Sequence, residues 1–321
     1  MIETMSMEEL KTYNGRQSVP DNFEEFWAKE LSNLPAETEY TLEEKDFNFK
    51  STTFYELKFN GTKDSIIHCR FILPKTTGKI PVIVNFHGYQ GQSSDWTEGL
   101  KYAAAGYAFV AMDVRGQAGQ SIDGGRYEGN TVKGHIVRGM IEGPEKLFFK
   151  EVYLDVYQLI RLVSQFEEID EDNIYTLGGS QGGALALIAA ALIPEVKKVV
   201  SIYPFLSDFK RILEFGNLNE PYDELFRYFK FNDPFHETEE QILKTLSYID
   251  VKNFASRIKA EVLMFIGLED EICYPSTQFA IYNRLKNKKD VLILPEYGHE
   301  SMNVVVNNKI YNFLTNTKFK N

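Results

Sequence analysis

An α/β fold, with a mostly parallel sheet covered by helices on both faces, is predicted by three observations. Short apolar runs alternate with helical stretches through most of the chain. One run, Pro81–Phe86 (PVIVNF), is nearly continuous in apolar residues, as in a central parallel strand buried on both faces. A glycine-rich turn, GGSQGG at 178–183, sits where a strand-like run gives way to a small-residue helical run. The 321 residues can bury a full core without a covalent staple, and they read as a single domain over 1–321. That domain carries an N-terminal helical and strand extension, 1–60, and a helical insertion at about 203–257.

The elements follow in order. Phe23, Phe26, Trp27 and Leu31 recur at helical spacing in residues 21–34, after Asp21 as a cap. Strand-like segments follow around Phe47–Phe59 and Ile66–Leu73, with Asn60-Gly61 as the turn between them. Pro81–Phe86 leads into the loop His87-Gly88-Tyr89-Gln90-Gly91 and a helical stretch, Trp96–Ala105. Strands are then expected at Tyr107–Met112, Asn173–Leu177, Val196–Ile202, Glu261–Ile266 and Val291–Leu294, and helices at Lys150–Phe166 and Gly182–Ile193. The stretch Tyr203–Arg257 is rich in Phe and Tyr and lacks a clear strand. It is too long for an ordinary connection and reads as a helical insertion before a sheet strand.

Composition narrows the function. A net charge of −11 argues against a polyanionic partner such as nucleic acid. Cys69 and Cys273 are too few for a disulfide framework and lie in no metal-ligand spacing, so neither a metal nor another cofactor is expected. Met1 to Leu10 carries Glu3, Glu8 and Glu9 where a secretory leader would be basic and apolar. The longest apolar stretch, inside Ala184–Ile193, is too short to cross a bilayer, and the expectation is a cytoplasmic protein with no membrane partner.

Gly178-Gly179-Ser180-Gln181-Gly182 fits G-x-S-x-G. The pattern follows the strand-like NIYTL and precedes GGALALIAAAL, the strand–turn–helix context that lifts a serine hydroxyl above the carboxyl edge of a parallel sheet. This is the nucleophile elbow of α/β hydrolases, so the fold class becomes an α/β-hydrolase fold. A serine needs a base, and elbow enzymes place the partners in the order Ser, acid, His. Two histidines follow Ser180. His236 lies in the irregular insertion, whereas His299 lies directly after the last strand-like run, which makes it the candidate base. Of Asp208, Asp223, Asp233, Asp250, Asp270 and Asp290, Asp270 alone comes just after a buried-looking strand, although Glu269 and Glu271 flank it. The oxyanion donors are expected to be the backbone N–H of Gln181, next after the nucleophile, and of Tyr89 in the loop after an earlier central strand. His87 reads as a structural histidine of that loop, and Arg115 as the partner of a buried carboxylate.

With these residues in place, the chain resembles the acetyl xylan esterase and cephalosporin-C deacetylase family, carbohydrate esterase family seven. The resemblance runs over nearly the whole length, on FHGYQG at 86–91, DVRGQ at 113–117, GGSQGG at 178–183, GLEDEICYPST at 267–277 and GHE at 298–300. It implies cofactor-free hydrolysis of acetyl esters on small sugars and at the cephalosporin 3′ position. Ser180, Asp270 and His299 would form the triad, and Tyr89 and Gln181 the oxyanion hole. It also implies a cytoplasmic homohexamer and a small acyl pocket. Two departures bear on the fine shape of the site: Tyr274, where many members carry proline, and Leu147-Phe148-Phe149-Lys150, where a tyrosine-rich run ending in arginine is more usual. The competing readings are a broad carboxylesterase or a peptidase on the same fold, and a non-catalytic binding protein.

Overall fold

The computed structural model describes residues 3–128, 134–216 and 219–316; the ends of the expected 1–321 unit and positions 217–218 of the expected insertion lie outside these. Helices α1 (Met7–Leu10) and α2 (Phe23–Ser32) precede strands β1 (Tyr40–Lys45), β2 (Thr52–Asn60) and β3 (Ile66–Pro74). The alternating part follows as β4 (Ile80–Phe86), α3 (Leu100–Ala103), β5 (Ala108–Met112), α4 (Phe148–Val163), β6 (Ile169–Gly179), α5 (Gln181–Leu192) and β7 (Val196–Ile202). Between β7 and the next strand come α6 (Phe209–Phe215), α7 (Asp223–Phe231) and α8 (Glu239–Leu246). The chain ends on β8 (Glu261–Gly267), α9 (Pro275–Arg284), β9 (Lys289–Leu294) and α10 (Val304–Thr315). The nine strands form one sheet in the order β1-β2-β3-β5-β4-β6-β7-β8-β9. Pairing is antiparallel from β1 to β5 and parallel from β5 to β9.

Side chains alternate across the strands, which splits the core into two layers. Val82 and Val84 of β4 pack with α4 and α5. Ile83, between them, packs with Tyr102 of α3 and Val306, Ile310 and Leu314 of α10. Every residue of α5 is buried, so it needs no polar stripe. Each Leu or Ile there contributes roughly 1.5–3 kcal/mol of burial.

Several boundaries differ from the expectation. The helix expected over Trp96–Ala105 shrinks to α3, because the Asp95 carboxylate accepts from the N–H groups of Thr97 and Glu98 and turns the chain first. Strand β1 has no apolar alternation to betray it; its YTLEEK is a charged, exposed edge. In the aromatic stretch after β7, Phe205, Phe209 and Phe229 are buried, whereas Phe231 and Phe235 are 60% and 83% exposed.

Candidate active site

Ser180 joins β6 to α5 with φ 56° and ψ −121°, a left-handed conformation that a non-glycine residue holds only under constraint. The constraint is visible: Ser180 N–H donates to Ile202 O at 2.8 Å, and Ser180 O accepts from Ala184 N–H at 3.0 Å and Phe205 N–H at 3.2 Å. Strand and helix can turn this tightly because a Cβ at Gly182 would stand 1.9 Å from Phe86 O, so only a bare backbone fits.

Asp270 follows β8. Its Oδ1 accepts from Ile272 N–H (2.9 Å) and Cys273 N–H (2.8 Å), which leaves Oδ2 for His299 Nδ1 at 2.8 Å. His299 lies in the loop between β9 and α10, and the two loops are tied by Glu269 N–H to Tyr297 O, 2.9 Å. The carboxylate is fully buried and the imidazole 19% exposed. His299 Nε2 makes no hydrogen bond among the described residues.

The Cys273 thiol stands at the same place. Burial, with the Asp270 charge beside it, pushes its pKa up, and a hydrogen bond with Ser180 opposes the shift. The ligand atoms of Asp270, Cys273 and His299 lie within 4.8 Å of one another, the one such set among the described residues. Its carboxylate and imidazole are spent on each other, and its thiol is held protonated. The structure thus brings Ser180, Asp270 and His299 to one edge of the sheet. Cys273 joins them, a neighbour the sequence reading missed although it lies three residues after Asp270.

The loop at 87–91 lies against the turn; a Cβ on Gly88 would be 3.9 Å from that of Ser180. His87 serves the loop itself, with Nδ1 2.7 Å from Gly88 O and Nε2 accepting from Val114 N–H at 2.9 Å. The N–H groups of Tyr89 and Gln181 donate to nothing among the described residues. Gln117, also missed, links the two segments: its Oε1 accepts from Gln90 N–H at 2.8 Å, and its Nε2 donates to Gln181 Oε1 at 2.6 Å. Its position after Arg115-Gly116 on the same sheet edge was the available signal.

Arg115 is buried in a two-pronged pair with Asp155, at 2.6 and 2.5 Å, and does not point at Ser180's surroundings as a free cation. His236 stacks on Phe229 and hydrogen-bonds Glu239 at 2.6 Å. Of the two departures from the family pattern, Tyr274 stacks on Phe215 with ring centroids 3.8 Å apart. Phe149 lies 6.3 Å from the Tyr89 ring, and Lys150 is buried against Glu30 (2.7 Å) and Glu151 (2.9 Å).

A parallel sheet with a strained serine on its central strand–helix turn and an imidazole–carboxylate pair at the same edge belongs to the α/β-hydrolase class. The acetyl xylan esterase (AXE1) family model matches residues 1–317. The crystal structure of acetyl xylan esterase 1 from a Thermoanaerobacterium species is 43% identical, with TM-score 0.94, covering 97% of this chain and 98% of that one. An acetyl xylan esterase from a Paenibacillus species is 37% identical, with TM-score 0.90, covering 97% and 99%. Acetyl esterase Axe7A of Xylanibacter ruminicola is 27% identical over 301 residues, 92% of this chain; the chain spans 66% of that protein's length. The chain belongs to the acetyl xylan esterase family.

Proposed function

We propose that this protein is a serine esterase that removes acetyl groups from small acetylated sugars such as xylo-oligosaccharides, and from cephalosporin-type acetyl esters. The observation that carries the reading is the His299 Nδ1–Asp270 Oδ2 pair, 2.8 Å, at the sheet edge that holds the strained Ser180. Family membership supplies the acetyl group.

Ser180 Oγ attacks the acetyl carbonyl carbon while His299 Nε2 takes the hydroxyl proton, and Asp270 holds the imidazole in the tautomer that can accept it. The tetrahedral oxyanion receives the N–H groups of Tyr89 and Gln181. Collapse breaks the ester C–O bond, and His299 returns the proton to the departing sugar oxygen. Water, activated by the same nitrogen, then releases acetate and restores Ser180. The reaction needs no cofactor. A short acyl pocket is part of the same reading, on the family resemblance.

On the family resemblance we also propose a cytoplasmic homohexamer. Val304, Val305, Phe231 and Phe235, exposed by 62–83% except for Phe231 at 60%, are apolar surface that a subunit contact would cover. A panel of esters with one leaving group and acyl chains from acetyl to octanoyl tests the specificity. Acetyl should be turned over fastest, and equal or better turnover of octanoyl would instead favour the broad carboxylesterase.

A further inference from the structure

Glu224 on α7 reaches out of the β7–β8 connection to the loop at 87–91. Its carboxyl is buried, at 2% exposure. Oε1 lies 3.2 Å from Tyr89 Oη and accepts from Ile136 N–H at 2.9 Å, while Oε2 is buried without a hydrogen-bond partner among the described residues. Tyr89 Oη in turn accepts from His135 N–H at 2.8 Å and lies 3.1 Å from His135 Nδ1. His135 Nε2 is 3.0 Å from Gly116 O. A carbonyl can only accept, so Nε2 carries a proton. Burial, with the Arg138 charge nearby, pushes the His135 pKa down to about 4, so the ring is neutral and Nδ1 is a bare acceptor.

Counting protons decides the state of Glu224. Tyr89 has one hydroxyl proton and faces two acceptors, His135 Nδ1 and Glu224 Oε1. If Glu224 is ionised, either His135 Nδ1 is left without a donor, or Oε1, which keeps Ile136 N–H, faces Tyr89 Oη at 3.2 Å with no proton between the two oxygens. If Glu224 carries a proton on Oε1, each contact along this chain holds one proton, and the bare Oε2 belongs to a neutral acid rather than to a buried charge. Oε1–H donates to Tyr89 Oη, Tyr89 O–H donates to His135 Nδ1, and Nε2–H donates to Gly116 O. Gly116 precedes Gln117, which grips Gln90 and Gln181. The chain therefore ends on both segments that carry the oxyanion donors.

We infer that Glu224 is a positioning residue that acts as a neutral acid: its proton closes the chain Glu224–Tyr89–His135–Gly116 and fixes the Tyr89 N–H where the oxyanion forms. This rests on the reading of Tyr89 as an oxyanion donor. The titratable groups around the carboxyl are Tyr89 from the loop, His135 from the segment after 134, and Asp223 on its own helix, itself paired with Arg227 at 3.3 Å. Burial dominates over the opposing hydrogen bonds from Ile136, Tyr89 and His135, and pushes Glu224 up to about 8.

The test measures kcat and KM on 4-nitrophenyl acetate from pH 6 to 9.5 for the full-length wild type, Glu224→Gln, Glu224→Ala and Ser180→Ala. Glu224→Ala should lower kcat about 10- to 100-fold with KM nearly unmoved, as expected for a contact that matters in the transition state. Glu224→Gln keeps a neutral group that can donate, and should stay within about threefold of wild type at neutral pH. Wild-type kcat should fall as pH rises past about 8, where Glu224 loses its proton, and Glu224→Gln should lack that fall. Wild-type kcat in Glu224→Ala, or the same alkaline limb in Glu224→Gln, overturns the assignment. If the alanine variant does not fold, the glutamine pH profile decides alone. Activity surviving in Ser180→Ala would sink the acyl-enzyme reading itself, whereas an inactive Ser180→Ala beside an indifferent Glu224→Ala sinks only the positioning role.

Discussion

The turn at 178–183 and the loop at 87–91 lie against each other, yet they are held by different means. The turn is fixed by contact between bare backbones and by a helix buried on every side. The loop is fixed by polar side chains sent from elsewhere: Gln117 after β5, His135 before α4 and Glu224 on α7. A steric constraint cannot be switched by pH, and it fails only when an atom is added. A hydrogen-bond clamp can lose a proton or a partner while the fold survives. On the proposed roles, the nucleophile is thus positioned rigidly, and the electrostatic side of the site is adjustable from a distance.

The largest expected effect breaks the turn's chemistry without touching its shape. Ser180→Ala should lose about four or more orders of magnitude in kcat for acetate release, His299→Ala nearly as much, and Asp270→Asn the same or less. Near-wild-type release by Ser180→Ala would remove the mechanism. Next comes the turn's shape: Gly182→Ala puts a Cβ 1.9 Å from Phe86 O and should cost about 3 kcal/mol or more in urea unfolding. Gly88→Ala, whose Cβ meets nothing nearer than 3.9 Å, should change stability by about 1 kcal/mol or less. Equal losses for the two glycines would erase the contrast between turn and loop.

A smaller effect is expected on the loop side. Gln117→Leu frees Gln90 N–H and Gln181 Oε1, and should lower kcat by about tenfold with little change in melting temperature. A fall in stability with unchanged kcat would make Gln117 merely structural. The smallest concerns Asp113, which follows β5 and accepts from Ser93 N–H and Gln120 N–H. Burial raises its pKa, but the His68 imidazole 3.3 Å away and hydrogen bonds from Gln120 and Ser93 outweigh that and hold the carboxyl below its ordinary range. A depressed carboxylate stabilises the fold above its unfolded pKa, about 4, and that contribution is lost as pH falls through the folded value. The stability gap between wild type and Asp113→Asn should therefore narrow as unfolding is measured from pH 7 down toward pH 3. A gap that widens on acidification would contradict the sign.

Much of the arrangement was legible in the chain because it is written locally. The strand-like NIYTL, the glycines about Ser180 and the apolar run after them need no distant partner to be recognised, and β6 and α5 lie there. Asp270 and His299 were legible by their positions after two strand-like runs, since strand ends in a parallel sheet share an edge. Strand β1 was not, because an exposed edge strand lacks the alternation that reveals burial. Cys273 and Gln117 were readable at most as neighbours of motif residues. Glu224 carried no signal at all: in DELFRYFKF it looks like one more acid in the first turn of an amphipathic helix.

By itself, the order of residues determined the parallel sheet and the strained turn at Ser180, since periodicity and glycine placement act over a few residues. Tertiary structure alone decided which of the acids lie in water and which are sealed from it. Asp270 is buried yet hydrogen-bonded by Ile272, Cys273 and His299, while Glu224 is buried with one bare oxygen. The charge state of a carboxyl depends on the dielectric and on the donors that the whole fold assembles around it, and none of those is adjacent in sequence to Glu224.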